Sequence, residues 1–259
     1  MTVKKSTPAF GWRAYGLGMM ALGLASLAFG EFDPGQSVPV RFPYRTVLAY
    51  VAGVFIVVAG AAVEGRRTRV WGAAALTGYY VVFVLLLMNG RLLLTDYGVY
   101  GTYESISMQL ALAAAGLIVF ATTAQIDLQI SEALAARLTR TGQLAFGVCT
   151  LIWGGAHFDY MNLTAPLVPK WLPPGQVFWG SVTGVCFLAA GLAILTGIKA
   201  RLAAILLTVM IASFGVLANG RMLVADHSNH WNWTESTLNL ALIGGAWVMA
   251  DSLRDRGAG

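Results

Sequence analysis

Eight stretches of about twenty largely apolar residues follow one another along the chain, near 11–31, 45–63, 70–94, 105–124, 142–160, 177–197, 200–224 and 236–252. A helix needs roughly 20 such residues to cross a bilayer. Backbone in lipid must satisfy its own hydrogen bonds, which leaves helices or closed barrels. Barrel strands alternate apolar and polar residues, and these runs do not. Hydrophobic residues make up 57% of the 259 and charged residues 11%, against about 25% charged in a soluble domain. The expected fold is an all-α integral membrane protein with eight transmembrane helices and the lipid bilayer as its first partner.

The first run follows Lys4 and Lys5, and Ala25, Ser26 and Ala28 mimic a signal-peptide cleavage site. This run has a counterpart in mid-chain, described below, so it is expected to stay as the first membrane helix. The basic residues set the orientation. Lys4, Lys5, Arg13, Arg66, Arg67, Arg69, Arg137, Arg140, Lys199, Arg201, Arg254 and Arg256 fall on one side of an eight-helix plan. Arg41, Arg45, Arg91, Lys170 and Arg221 fall on the other. The positive-inside rule then puts both termini in the cytoplasm. The net charge of +5 is thus a topology signal, and no nucleic-acid partner is expected. Cys149 and Cys186 lie mid-helix without a CxxC motif, and each is expected to act as a small buried hydrophobe.

The chain repeats itself. Leu87-Met88-Asn89-Gly90-Arg91-Leu92 matches Leu217-Ala218-Asn219-Gly220-Arg221-Met222 at an offset of 130. Val51, Gly53, Val54 and Gly60 match Val182, Gly184, Val185 and Gly191 at 131, as do Glu104 with Glu235 and Gly16 with Gly147. Near-constant offsets mark repeat architecture. Each unit holds four spans, an even number, so the units enter from one side and are parallel. The expected domains are 1–125, a cytoplasmic linker with an interfacial helix at 126–141, and 142–259. Pro34, Pro39 and Pro43 in the first outer loop answer Pro166, Pro169, Pro173 and Pro174 in the other.

Ionisable residues at membrane depth are functional candidates by default. Arg91 and Arg221 each end the third span of a unit, and Glu104 and Glu235 each open the fourth. Two roles are open to the expected Arg91–Glu104 and Arg221–Glu235 pairs. They staple the third helix to the fourth, or they line a polar pocket with Asn89 and Asn219. His157, Asp159 and Tyr160 add a titratable cluster at the end of the fifth span. Asp226, His227 and His230 have a partial metal-ligand spacing but no adjacent third ligand, so no metal is expected. Tyr97, Tyr100, Tyr103, Trp171, Trp179, Trp231 and Trp233 fit an interfacial aromatic belt, within which a quinone ring can stack.

The stretch Gly155-Ala156-His157-Phe158, then Val168-Pro169-Lys170-Trp171-Leu172-Pro173-Pro174, then Thr183-Gly184-Val185, Ala190-Gly191-Leu192 and Ala200-Arg201-Leu202-Ala203-Ala204 resembles the DoxX-like membrane proteins. Those have four helices, an HF at the end of the first and a VP-x-x-LP loop before the second. The resemblance covers residue 142 to about 251; the first unit keeps Val38-Pro39 and Pro43 but lacks the HF. It implies a bacterial inner-membrane protein tied to an oxidoreductase system, because the name-giving members belong to a thiosulfate:quinone oxidoreductase. It also implies a quinone as cofactor and a separate redox protein as partner. On that basis His157, Glu235 and Arg221 are the expected proton-handling and binding residues. Arg91, Glu104, Asn89, Asn219, Asp159 and Trp179 are expected to line the headgroup site. The second unit is the expected place of any active site. The rival expectation is a non-catalytic scaffold, or a carrier for lipid or small molecules, in which the Arg–Glu pairs are structural.

Overall fold

A computed structural model describes residues 10–254. Lys4, Lys5 and Arg256, counted above for topology, lie outside the described residues. Eight long helices run through it: α1 Gly11–Phe29, α2 Arg45–Glu64, α3 Arg69–Thr95, α4 Tyr100–Asp127, α5 Glu132–Asp159, α6 Gln176–Thr196, α7 Ala200–Ala225 and α8 His230–Ser252. Among the described residues there is no strand. Five helices (α2, α3, α4, α6 and α7) are long and apolar enough to cross a membrane, and the chain is a multi-pass helical membrane protein. Val47, Val54, Val58, Leu86, Val185, Leu206 and Val209 stand exposed on them, as lipid-facing side chains do. A water-soluble fold would rarely show so extended an apolar surface.

The helices that fall short of that apolarity, α1, α5 and α8, carry more polar residues and are packed inside the bundle. Tyr15 and Met19 of α1, Phe146 and Thr150 of α5, and Ala241 and Met249 of α8 are fully buried. A helix facing protein rather than lipid need not be apolar all round. Each helix packs on the next in sequence, α8 returns to pack on α1, and α4 touches α8 across the middle.

Close helix contacts rest on glycine. A Cβ on Gly60 would sit 2.9 Å from the Gly16 carbonyl oxygen, and one on Gly23 2.8 Å from that of Gly53, so α1 and α2 approach almost backbone to backbone. Between α5 and α6 a Cβ on Gly191 would lie 3.0 Å from the Gly147 oxygen, and one on Gly184 2.8 Å from His157 Cβ. Small residues permit such approach where lipid supplies no hydrophobic drive.

Local chemistry sets the ends. Gly30, at φ +64°, closes α1 in the left-handed region. Ser131 Oγ accepts from the Leu134 N–H (3.2 Å) and starts α5. Residues 132–141 are the first turns of α5 rather than a separate interfacial helix. Asn229 Oδ1 accepts from the Trp231 N–H (2.8 Å) at the start of α8. Both α3 and α7 widen into π-helical stretches, Tyr79–Asn89 and Gly215–Asn219, each ending on the repeated Asn. Such distortions concentrate at functional sites.

Candidate functional site

The end of the bundle opposite the basic loops carries the polar residues. In the first half, the chain leaves α1 at Gly30 and turns back into the bundle. Asp33 is 3% exposed and caps the short turn Pro34–Gln36 by accepting from the Gly35 N–H (2.8 Å). Its second oxygen accepts from Gln109 Nε2 on α4 (3.0 Å). Gln36 accepts from the Tyr79 hydroxyl of α3 (2.8 Å), and Asn89 Nδ2 donates to the Gly35 carbonyl (3.1 Å). Two helices thus grip one four-residue turn. Burial raises the Asp33 carboxyl above its ordinary value, with the Gly35 and Gln109 hydrogen bonds opposing that shift.

Neither expected Arg–Glu pair is made. Among the described residues, the ion pairs are Arg45–Glu31 and Arg254–Asp251. Arg91 donates instead to the carbonyls of Ser37 (2.8 Å) and Met88 (3.2 Å), clamping the first outer loop onto α3. Glu104 accepts from the Tyr160 hydroxyl, and the Tyr100 hydroxyl donates to the Ile152 carbonyl (2.9 Å). Both bonds tie α4 to α5 or to its end. The short α3–α4 loop leaves Arg91 exposed on the outside of the bundle while Glu104 turns inward.

In the second half Asn219 Nδ2 donates to the backbone carbonyl of Glu235 (3.2 Å). The half-buried Glu235 carboxylate makes no side-chain hydrogen bond among the described residues. It lies within electrostatic reach of Asp33 and Glu104. Arg221 is exposed and has no hydrogen-bond or ion-pair partner among the described residues. It stands two positions after Asn219, about 200° around a helix, so Asn219 faces α8 and Arg221 faces away. Arg221 lines a groove of about 610 Å³ with Pro166, Leu167, Val216, Met222, Val224 and Ala225.

His157 lies elsewhere. Thr183 Oγ1 is 3.3 Å from its Nδ1, and its ring sits 5.5 Å from Phe187 and 6.4 Å from Phe214. Asp159 is exposed, and Trp179 Nε1 donates to the Pro173 carbonyl (2.9 Å). His157, Glu235 and Arg221 therefore do not join in one hydrogen-bonded cluster. Asp226 is taken up by Ser228, whose N–H and hydroxyl hold its carboxyl below the ordinary range. His230 packs against Phe29 at 5.0 Å rather than beside Asp226. Among the described residues no three His, Cys, Asp or Glu side chains converge. Cys149 is buried, whereas Cys186 is exposed.

Asp33, Gln36, Tyr79, Tyr80 and Gln109 form the most buried polar cluster, and sequence reasoning did not single them out. Two signals point to them: Asp33-Pro34-Gly35 is a turn-capping sequence, and Gln109 is an amide within an apolar run. At the basic end, a cavity of about 390 Å³ is lined by Trp12, Arg66, Arg69, Asp127 and Asp251, with the Arg69 guanidinium 3.5 Å above the Trp12 ring. No family model, curated protein or solved structure matches this chain.

Proposed function

We propose that this chain is a DoxX-like membrane protein of two parallel four-helix repeats with eight spans, and that its groove at Arg221 receives a quinone headgroup from the bilayer. Residues at an offset of 131 support the repeat: Gly16 with Gly60 and Gly147 with Gly191 occupy the same contact in each half. The ring of neighbours supports it too, since α8 on α1 answers α4 on α5. The basic excess on one side favours cytoplasmic termini in a bacterial inner membrane.

The observation that carries the quinone reading is the groove itself. Its walls are apolar but for Arg221, whose guanidinium has no ion-pair partner among the described residues, and its volume falls within the usual range for small-ligand sites. A quinone offers an apolar tail to lipid and two carbonyl acceptors to a guanidinium. Glu235 of α8, whose backbone carbonyl meets Asn219 of α7, would carry the proton with Glu104. Electrons would come from a separate redox protein. Titration of the purified chain with a ubiquinone or menaquinone analogue tests this. Saturable binding, weakened at least about tenfold by Arg221→Ala, is expected. Absence of saturable binding, or equal binding by the variant, would sink it.

A non-catalytic carrier or scaffold is the second reading. It is favoured by Arg91 and Glu104, which fasten a loop and a neighbouring helix. If Glu235→Gln lowers the melting temperature and leaves the quinone response untouched, that reading wins.

A further inference from the structure

Among the described residues, the grip on residues 33–36 leaves three buried oxygens without a hydrogen bond of good geometry: Asn89 Oδ1, Gln109 Oε1 and the Tyr80 hydroxyl, which lies close to Gln36. Their side chains are 1%, 0% and 0% exposed. None can be relieved by turning an amide about. Asn89 must present its nitrogen to the Gly35 carbonyl, and Gln109 must present its nitrogen to the Asp33 carboxylate. Their oxygens are therefore committed to face away from those bonds. Tyr80 lies beside Asp33 and Gln36, on the π-helical stretch that also ends at Asn89.

An unmet buried acceptor costs about 1–3 kcal/mol, and three around one turn call for a shared partner. The nearby charge narrows the choice. Asp33 is buried with no guanidinium or ammonium bonded to it, since Arg45 is paired with Glu31 and Arg91 is engaged by two carbonyls. A buried carboxylate needs a counter-charge or a proton. A neutral partner such as water would satisfy the oxygens and leave that charge standing.

We propose that the buried polar cluster beneath the first outer loop is a monovalent-cation site, with Asp33 supplying the charge and Asn89, Gln109 and Tyr80 the neutral oxygens. The donor set is all oxygen, which selects a hard ion and excludes thiolate- or imidazole-seeking metals. One carboxylate matches one positive charge, whereas dedicated calcium sites gather several. A proton on Asp33 is the natural competitor. The groups facing Asp33 are Tyr79 and Tyr80 from α3 and Glu235 from α8. None of them is a cation, so nothing in the bundle substitutes for the ion. The site is separate from the Arg221 groove and stands whether or not a quinone binds there.

The test is thermal unfolding of the full chain, purified in detergent, at equal ionic strength in sodium, potassium or N-methylglucamine chloride. The expected result is a saturable rise in melting temperature of about 3 °C or more with sodium or potassium that N-methylglucamine does not give. Asp33→Asn should abolish the difference between salts. Tyr80→Phe, which keeps shape and removes one ligand, should raise the half-saturating concentration about tenfold and is readable should Asp33→Asn fail to fold. Identical melting of the native chain in all three salts would overturn the proposal. So would a sodium or potassium rise kept in full by either variant.

Discussion

The outer ends of the two halves are closed in different ways. In the first, residues 33–36 dip between α3 and α4 and are held by Tyr79, Asn89 and Gln109, with Arg91 clamping the loop behind them. In the second, the loop after α5 stays near the surface: its Pro166 and Leu167 border an open groove, and Arg221 has no hydrogen-bond or ion-pair partner among the described residues. The two Asn-Gly-Arg segments are the same in sequence and do different work. What decides between them is the loop each one meets. Asp33, Gly35 and Gln36 offer hydrogen-bonding groups to α3, whereas Thr164, Pro166 and Leu167, at an offset of 131, offer little.

The largest expected effect tests the part the halves share. Gly60→Leu and Gly191→Leu each force a side chain against a backbone carbonyl. Each should cost about 3 kcal/mol by overpacking, read as a lowered melting temperature. Strongly unequal losses would break the likeness of the two helix walls. Next comes the part they do not share. Asp33→Ala removes the cap and orphans Gln109, at about 2 kcal/mol. Thr164→Ala, which touches only the Met161 carbonyl and sulfur weakly, should stay within about 0.5 kcal/mol. Arg91→Ala should cost about 1 kcal/mol through its loop contacts, and Arg221→Ala less than about 0.5 kcal/mol. Denaturant titrations measure all four.

The smallest effect is one of pH. Burial raises the Asp33 carboxyl, so the folded chain holds that proton more tightly than the unfolded chain. The stability from this group is full below about pH 3.9, the ordinary aspartate value, and is lost as pH rises through the raised folded value. In N-methylglucamine salt the native chain should lose stability as pH rises from the ordinary aspartate value through that raised one. Asp33→Asn should lack this component.

The helices were legible because α2, α3, α4, α6 and α7 are long apolar runs, and α1, α5 and α8 remained visible despite their polar content. The glycine offsets were equally plain. The Arg–Glu pairs were not, because spacing along α3 and α4 reports only that Arg91 and Glu104 flank one short loop. It cannot report that residues 32–38 pack inward with Ser37 taking Arg91, or that Tyr160 arrives from the other half to take Glu104. Asp33 and Gln109 lie 76 positions apart, and only packing brings them together. Attention to residues beside the charges singled out Asn89 and passed over Gln36 and Gln109, although Gln109 is the more telling residue in its apolar setting.

A double-mutant cycle tests the central arrangement most directly. The account predicts that Arg91→Ala and Glu104→Gln act additively on stability, within about 0.3–0.5 kcal/mol. It predicts that Tyr160→Phe and Glu104→Gln couple by about 1 kcal/mol, because those two side chains share a hydrogen bond. Coupling of that size between Arg91 and Glu104, with none between Tyr160 and Glu104, would contradict it.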